Sequence, residues 1–179
     1  MIGLAAPYLH SSDCRPSLAP IEGRFIRLGK GQSWARRAID TGTLRFGAPD
    51  EPHDLCLAGE WDGVERHLLD AGRSAQKASE LRRQLQDFYT LGPDILWVTV
   101  AEGRLWWGFA EPEVADLRGS GDGMGIVVRR IQDGWSCRAR SGRELHVADL
   151  ASILSVRLYP GALCSLTQVA LIWNAIEGC

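Results

Sequence analysis

Lysine is nearly absent. Of the 20 basic residues in this 179-residue chain, only Lys30 and Lys77 are lysines. A restriction-type nuclease centre sets a lysine among clustered carboxylates, and neither lysine stands in such a setting. Long apolar runs are also missing: the longest mixed stretch, 163–176, is broken by Ser165, Thr167, Gln168 and Asn174, so no membrane span is expected. No basic start followed by a hydrophobic block opens the chain, so no secretory signal is expected. The five cysteines (Cys14, Cys56, Cys137, Cys164, Cys179) include no C-x-x-C pair, which reads as free thiols in a reducing cytoplasm. His53 and Cys56 stand three apart, but no second ligand pair follows at zinc-finger spacing, so no metal is expected.

Enzyme signatures are equally scarce. There is no G-x-S-x-G elbow and no H-E-x-x-H. The glycines of 119–125 lack the Lys-Ser/Thr of a phosphate-binding loop and lead into a strand, so they read as a hairpin loop. His10, His53, His67 and His146 have no evident catalytic partner, and His146 with Cys164 is the one pairing worth checking. The expectation is a cytoplasmic protein that is not an enzyme and uses no cofactor.

What is present is a core and many arginines. The chain is 45% hydrophobic and 23% charged, which excludes a disordered polymer. The formal charge of −2 excludes a polycation that coats nucleic acid by charge alone. That total hides segregation. Residues 24–45 hold Arg24, Arg27, Lys30, Arg36, Arg37 and Arg45 against Asp40 alone. Residues 118–143 hold Arg118, Arg129, Arg130, Arg138, Arg140 and Arg143 against Asp122 and Asp133. Residues 46–70 hold seven carboxylates against Arg66. If the two basic segments share a side of the molecule they form a phosphate-contacting rim, with Lys30, Arg36, Arg37, Arg45, Arg129 and Arg130 as its candidates. Pairing with the acidic segment would instead make them ordinary solvated surface.

Periodicity gives the elements. Residues 1–23, with Pro7, Pro16 and Pro20, read as a loose leader. Arg24–Leu28 reads as a strand, Gly29–Gln32 as a turn, and Ser33 as the N-cap of a helix over 34–41 that Gly42 closes. A strand over 43–46, a long acidic loop over 47–60, and helices over 61–71 and 74–89 follow. Residues 95–101 and 104–110 read as a hairpin about Glu102-Gly103, and 125–132 and 135–139 as another about Asp133-Gly134. The tail from Ala148 reads as mostly helical, with Leu166, Val169, Trp173 and Ile176 as an apolar stripe fit to dock a partner protein. The order points to an α+β fold: a small curved antiparallel barrel over 24–143, flanked by helices, with a helical extension over 144–179 packed on it.

Seven tryptophans against three tyrosines and four phenylalanines suggest faces for a flat guest. A base needs such faces and polar groups to read its edge; Ser33, Thr90, Thr99 and the Gly29–Gly31 backbone are available for the edge. Strand alternation sends one of Trp106 and Trp107 to each face.

The order of the motifs carries a resemblance. Phe25-Ile26-Arg27-Leu28-Gly29-Lys30-Gly31-Gln32-Ser33-Trp34, then Leu44-Arg45-Phe46-Gly47, Gln84-Leu85-Gln86-Asp87-Phe88-Tyr89, Gly92-Pro93-Asp94-Ile95-Leu96-Trp97-Val98 and Gly103-Arg104-Leu105-Trp106-Trp107-Gly108-Phe109 resemble PUA-like modules of the EVE and YTH type. Similar segments open some modification-dependent restriction proteins. The resemblance spans about residues 24–117; the long acidic loop and the tail depart from it. It implies a small barrel that holds a flipped, often modified, base in an aromatic cage, drawn here from Trp34, Tyr89 and Trp107 with Trp61. It further implies nucleic acid as partner, DNA favoured over RNA, and a place in restriction or phage defence. The alternative is a non-catalytic accessory subunit that docks through the C-terminal helix.

Overall fold

The first strand sits inside a sheet because two segments distant in the chain pair with its two edges. In the computed structural model, which describes residues 19–47, 50–118, 127–150 and 162–178, strand β1 (Gly23–Ile26) lies between β3 (Leu96–Ala101) and β7 (Leu163–Ser165). It runs parallel to β3, with Phe25 opposite Val98, and antiparallel to β7, with Phe25 opposite Cys164. β4 (Arg104–Phe109) completes a sheet of order β4-β3-β1-β7. A second sheet has the order β2-β6-β5, from β2 (Thr43–Phe46), β6 (Val127–Arg130) and β5 (Ala115–Asp116).

The α+β class holds, but among the described residues the two sheets do not close into a barrel and the first is not wholly antiparallel. Residues 162–165, expected in a helical tail, begin with the edge strand β7. The acidic segment is not all loop: His53–Ala58 forms helix α2, ended by Gly59 in the left-handed conformation. Residues 135–139 form no regular strand; Ser136 bridges Trp107 and Arg138 bridges Glu144. Ser33 does not cap helix α1 (Ala35–Asp40), whose N-cap is Trp34 with its N–H on the Leu28 carbonyl. The Gly119–Gly125 loop and residues 151–161 lie outside the described residues.

The other elements follow the sequence closely. α3 (Trp61–Asp70) buries Val64 and Leu68, and α4 (Ala75–Thr90) buries Ala78, Leu85 and Phe88. Glu102-Gly103 carries positive φ at both positions, the geometry of a two-residue hairpin turn that matches strand twist. α5 (Val169–Glu177) closes the chain.

Alternation along β3 and β4 divides the interior in two. Trp97 and Trp106 join Ile26, Leu44, Phe46, Val64, Leu85 and Phe88 on the side of helices α1–α4 and the second sheet. Leu96, Val98, Leu105 and Trp107 join Phe25, Leu145 and the α5 residues Ile172, Trp173 and Ile176 on the other. The apolar stripe of α5 is therefore consumed by the chain's own sheet: Trp173 and Ile176 are buried and are not available to a partner. Among the described residues, no helix is long and apolar enough to cross a membrane.

One charged side chain joins the layers. Arg129 is 1% exposed, and its guanidinium stands 5.8 Å from the Trp97 ring centre. It donates to three backbone carbonyls: Nε to Glu111 (2.6 Å), Nη1 to Phe88 (3.0 Å) and Nη2 to Ala110 (3.3 Å). Its expected phosphate role is corrected here, because strand pairing turns it inward beside Leu44. Burial lowers its pKa to about 10, so it stays charged at neutral pH. Arg129→Met should orphan three carbonyls and cost on the order of 3 kcal/mol or more in chemical denaturation. Arg129→Lys, without the fork, should recover little of it.

Candidate nucleic-acid interface

The pairing of β2 with β6 brings the two basic segments side by side. Thr43 faces Arg130, Leu44 faces Arg129, and Arg45 faces Val128. Directly paired residues share a face, so Thr43, Arg45, Val128 and Arg130 form the outer surface while Leu44, Phe46, Val127 and Arg129 turn inward. Hydroxyls organise this edge. Thr41 Oγ1 donates to the Arg37 carbonyl (2.7 Å) and stands 2.8 Å from Thr43 Oγ1, which accepts from Arg45 Nε (3.1 Å). Helix α1 turns Ala35 and Ala38 to the core, leaving Arg36 and Arg37 outside.

The six phosphate candidates thus separate. Lys30, Arg37 and Arg130 are exposed and make no ion pair among the described residues. Arg36 is 77% exposed but already engaged with Asp40 (3.1 Å) and Glu102 (3.3 Å), which raise its pKa. Arg45 lies on the outer face yet is 5% exposed, and Arg129 is interior. Most other arginines of the basic segments are paired: Arg24 with Asp87, Arg118 with Asp116, Arg138 with Glu144, Arg140 with Glu177, Arg143 with Asp149. None of these five carboxylate partners comes from the acidic segment 46–70.

The aromatic candidates are scattered. Trp107 packs edge-to-face with Phe109 and Trp173 on the α5 side of the first sheet, and its Nε1 donates to the Arg138 carbonyl (2.9 Å). Trp34 and Tyr89 pack on the opposite side. The expected cage of Trp34, Tyr89 and Trp107 is therefore not assembled: a central sheet stands between its members. Trp34 is half-buried under the Gly29 turn, where φ is +82° and a Cβ would meet the indole at 2.7 Å. Ser33 and Thr90 are exposed, but the Thr90 hydroxyl donates to the Gln86 carbonyl within its helix. Trp61 differs: with Gly59, Glu60, Asp62, Gly63 and Arg66 it lines an open recess of about 420 Å³.

No local sequence pattern announces the buried polar chain behind this surface. Tyr89 Oη donates to Glu51 Oε1 (2.6 Å), and His53 Nδ1, 2.7 Å away, donates to the phenol oxygen. Glu51 is 1% exposed, and Arg118 Nη1 donates to its carbonyl (3.1 Å). Burial, then Glu51, push the Tyr89 phenol far up, and burial raises the thiol of Cys56, on α2 with His53, to about 12. Both hold their protons at neutral pH, so the cluster offers neither a thiolate nor a phenolate. It pins α2 to α4. Asp54 in the first turn of α2, after Pro52, was the available signal for that helix.

Compared with protein-family models, with curated proteins and with solved structures, the chain matches none. Chemistry must therefore be read from the geometry. His146 bridges to Arg104 on β4, whereas Cys164 lies on β7, at the opposite edge of the sheet. Four strand spacings, about 19 Å, part them. Among the described residues, no group of three His, Cys, Asp or Glu is placed to hold a metal.

Two measurements probe this region. Tyr89→Phe should cost about 1–3 kcal/mol in denaturation, because buried Glu51 loses its donor. Asp50 accepts from Arg73 at 2.8 Å, which lowers its pKa. A depressed folded pKa stabilises above the normal carboxylate range and is lost as pH falls through the folded value. The stability gap between wild type and Arg73→Met, about 0.5–1 kcal/mol for this partly exposed pair, should therefore close in acid.

Proposed function

We propose that the chain is a nucleic-acid-binding module that grips phosphates with the outer face of its second sheet and the adjoining helix α1. The observation that carries the reading is the β2–β6 register, which sets Arg130 across from Thr43, three residues beyond the helix that presents Arg37. Of the six candidates, Lys30, Arg37 and Arg130 are exposed and make no ion pair among the described residues. Such contacts give affinity without sequence preference.

A base is held at Trp61. Its ring lines the recess beside α3 and supplies a stacking face, worth about 1–3 kcal/mol per base. The neighbouring carboxylates of Glu60 and Asp62 accept hydrogen bonds from exocyclic amino groups, as acidic side chains do with cytosine. The resemblance to EVE and YTH modules supports a flipped or modified base as the guest and a role in restriction or phage defence.

Fluorescence anisotropy with labelled DNA and RNA single strands, plain and base-modified, tests this across a salt series. Binding should weaken steeply with salt. The double variant Arg37→Ala/Arg130→Ala should flatten the slope of log K against log salt by about 1.4, from two lost phosphate contacts. Trp61→Ala should weaken binding roughly 5- to 100-fold at fixed salt and leave the slope unchanged. Absent or salt-independent binding to every strand would refute the module.

A further inference from the structure

Three strand ends meet at one end of the first sheet. β1 and β3 start there in parallel and β4 returns to it, so Gly23 lies beside Leu96 and Leu96 beside Phe109. Backbone hydrogen bonds tie the flanking segments to these ends. The Leu96 N–H donates to the Glu22 carbonyl (3.2 Å), and the Gln132 N–H donates to the Phe109 carbonyl (2.8 Å). Between them opens a cavity of about 640 Å³, within the range of small-molecule sites.

The walls are mostly apolar, from Ile21, Pro93, Ile95 and Phe109. The Phe109 ring stands edge-to-face with Trp107 (6.3 Å between ring centres) and with Trp173 (6.0 Å), so this wall is in place before any guest arrives. Ile21 is 95% exposed, an apolar side chain left in water at the cavity. A guest that covers it gains the free energy of removing that surface from solvent.

The charged groups of the lining carry one sign. Glu22 and Asp94 are exposed carboxylates, Gln132 is a neutral amide, and no lining residue is basic. Arg24 reaches this rim, but Asp87 (2.8 Å) and Glu22 (3.3 Å) share it. Asp94 makes no ion pair among the described residues. One guanidinium therefore stands against three carboxylates. Such a rim repels phosphates and carboxylates and attracts an ammonium group.

We propose that this cavity is a binding site for a small organic amine, an ammonium group carried on an apolar body. The ammonium donates a charge-assisted hydrogen bond to the Asp94 carboxylate, and the body lies against Ile21, Ile95 and Phe109. The same carboxylates exclude nucleotides and other anions. The cavity shares no residue with the phosphate face or the Trp61 recess, so the site stands whether or not the chain binds nucleic acid.

Titration of the full chain, followed by the amide and indole N–H signals in ¹⁵N NMR, tests it with three probes of one shape: 4-phenylbutylamine, 4-phenylbutanol and 4-phenylbutyrate. The amine should bind in the millimolar range or tighter, as suits a ligand of its size, and should move the Leu96, Phe109 and Gln132 amides. The alcohol should bind more weakly and the carboxylate not at all. Asp94→Asn should weaken the amine roughly 3- to 10-fold and leave the alcohol unchanged. Ile21→Ser, at a side chain too exposed to matter for folding, should weaken both. The amine failing to move these signals, the carboxylate binding as well as the amine, or Asp94→Asn leaving the amine's affinity intact would each overturn the proposal.

Discussion

A single buried guanidinium holds the architecture at its joint. Arg129 enters from β6 in the second sheet, crosses to the end of α4 at Phe88, and reaches the exit of β4 at Ala110 and Glu111. A charge at this depth is costly unless its donors are met. Here they are met by main-chain carbonyls and an indole face, with no carboxylate bonded to it among the described residues. That makes the clamp sensitive to backbone position. Its three bonds tie β6 to two other places, the end of α4 and the exit of β4, so both sheets and the long helix are set in a common frame. The adjacent Arg130 is thrown outward by the same alternation that sends Arg129 in. Core joint and proposed phosphate contact are thus successive residues of one strand.

The first sheet separates two hydrophobic interiors, and this division governs what the aromatic residues can do. Trp97 and Trp106 serve the side shared with the helices and the second sheet; Trp107 serves the side covered by α5. Rings that look like one set along the chain are parted by a sheet in space. Trp61 packs partly against the first interior but also borders the surface recess, because it opens α3 just after the left-handed Gly59.

Much of this fold was legible in the sequence. The helices over 61–71 and 74–89 stand out by spacing, and the Glu102-Gly103 turn by its residue types. The charge segregation was readable too, and β2–β6 pairing gives it a place. What stayed hidden were long-range relations. Nothing local announces that Gly23–Ile26 pairs in parallel with Leu96–Ala101, since a parallel pair needs no turn between its strands. Nothing distinguishes Arg129 from Arg130 except the register that turns one inward. The short helix His53–Ala58 was masked by Pro49, Pro52 and the density of acidic residues. The buried Glu51–Tyr89–His53 chain depends on that helix and was hidden with it.

The pairing of β7 with β1 completes the first sheet from two segments, residues 23–26 and 163–165, that lie far apart in the chain. During vectorial synthesis on a ribosome, β1 emerges early, and its free edge must wait for residues 163–165. The α5 face that covers Phe25, Leu96 and Val98 arrives later still. Until then a nascent chain carries an open strand edge and an uncovered apolar sheet face together. Completion of the sheet is thereby coupled to completion of translation through residue 177, and a ribosome stalled short of that point leaves a sticky, unfinished product.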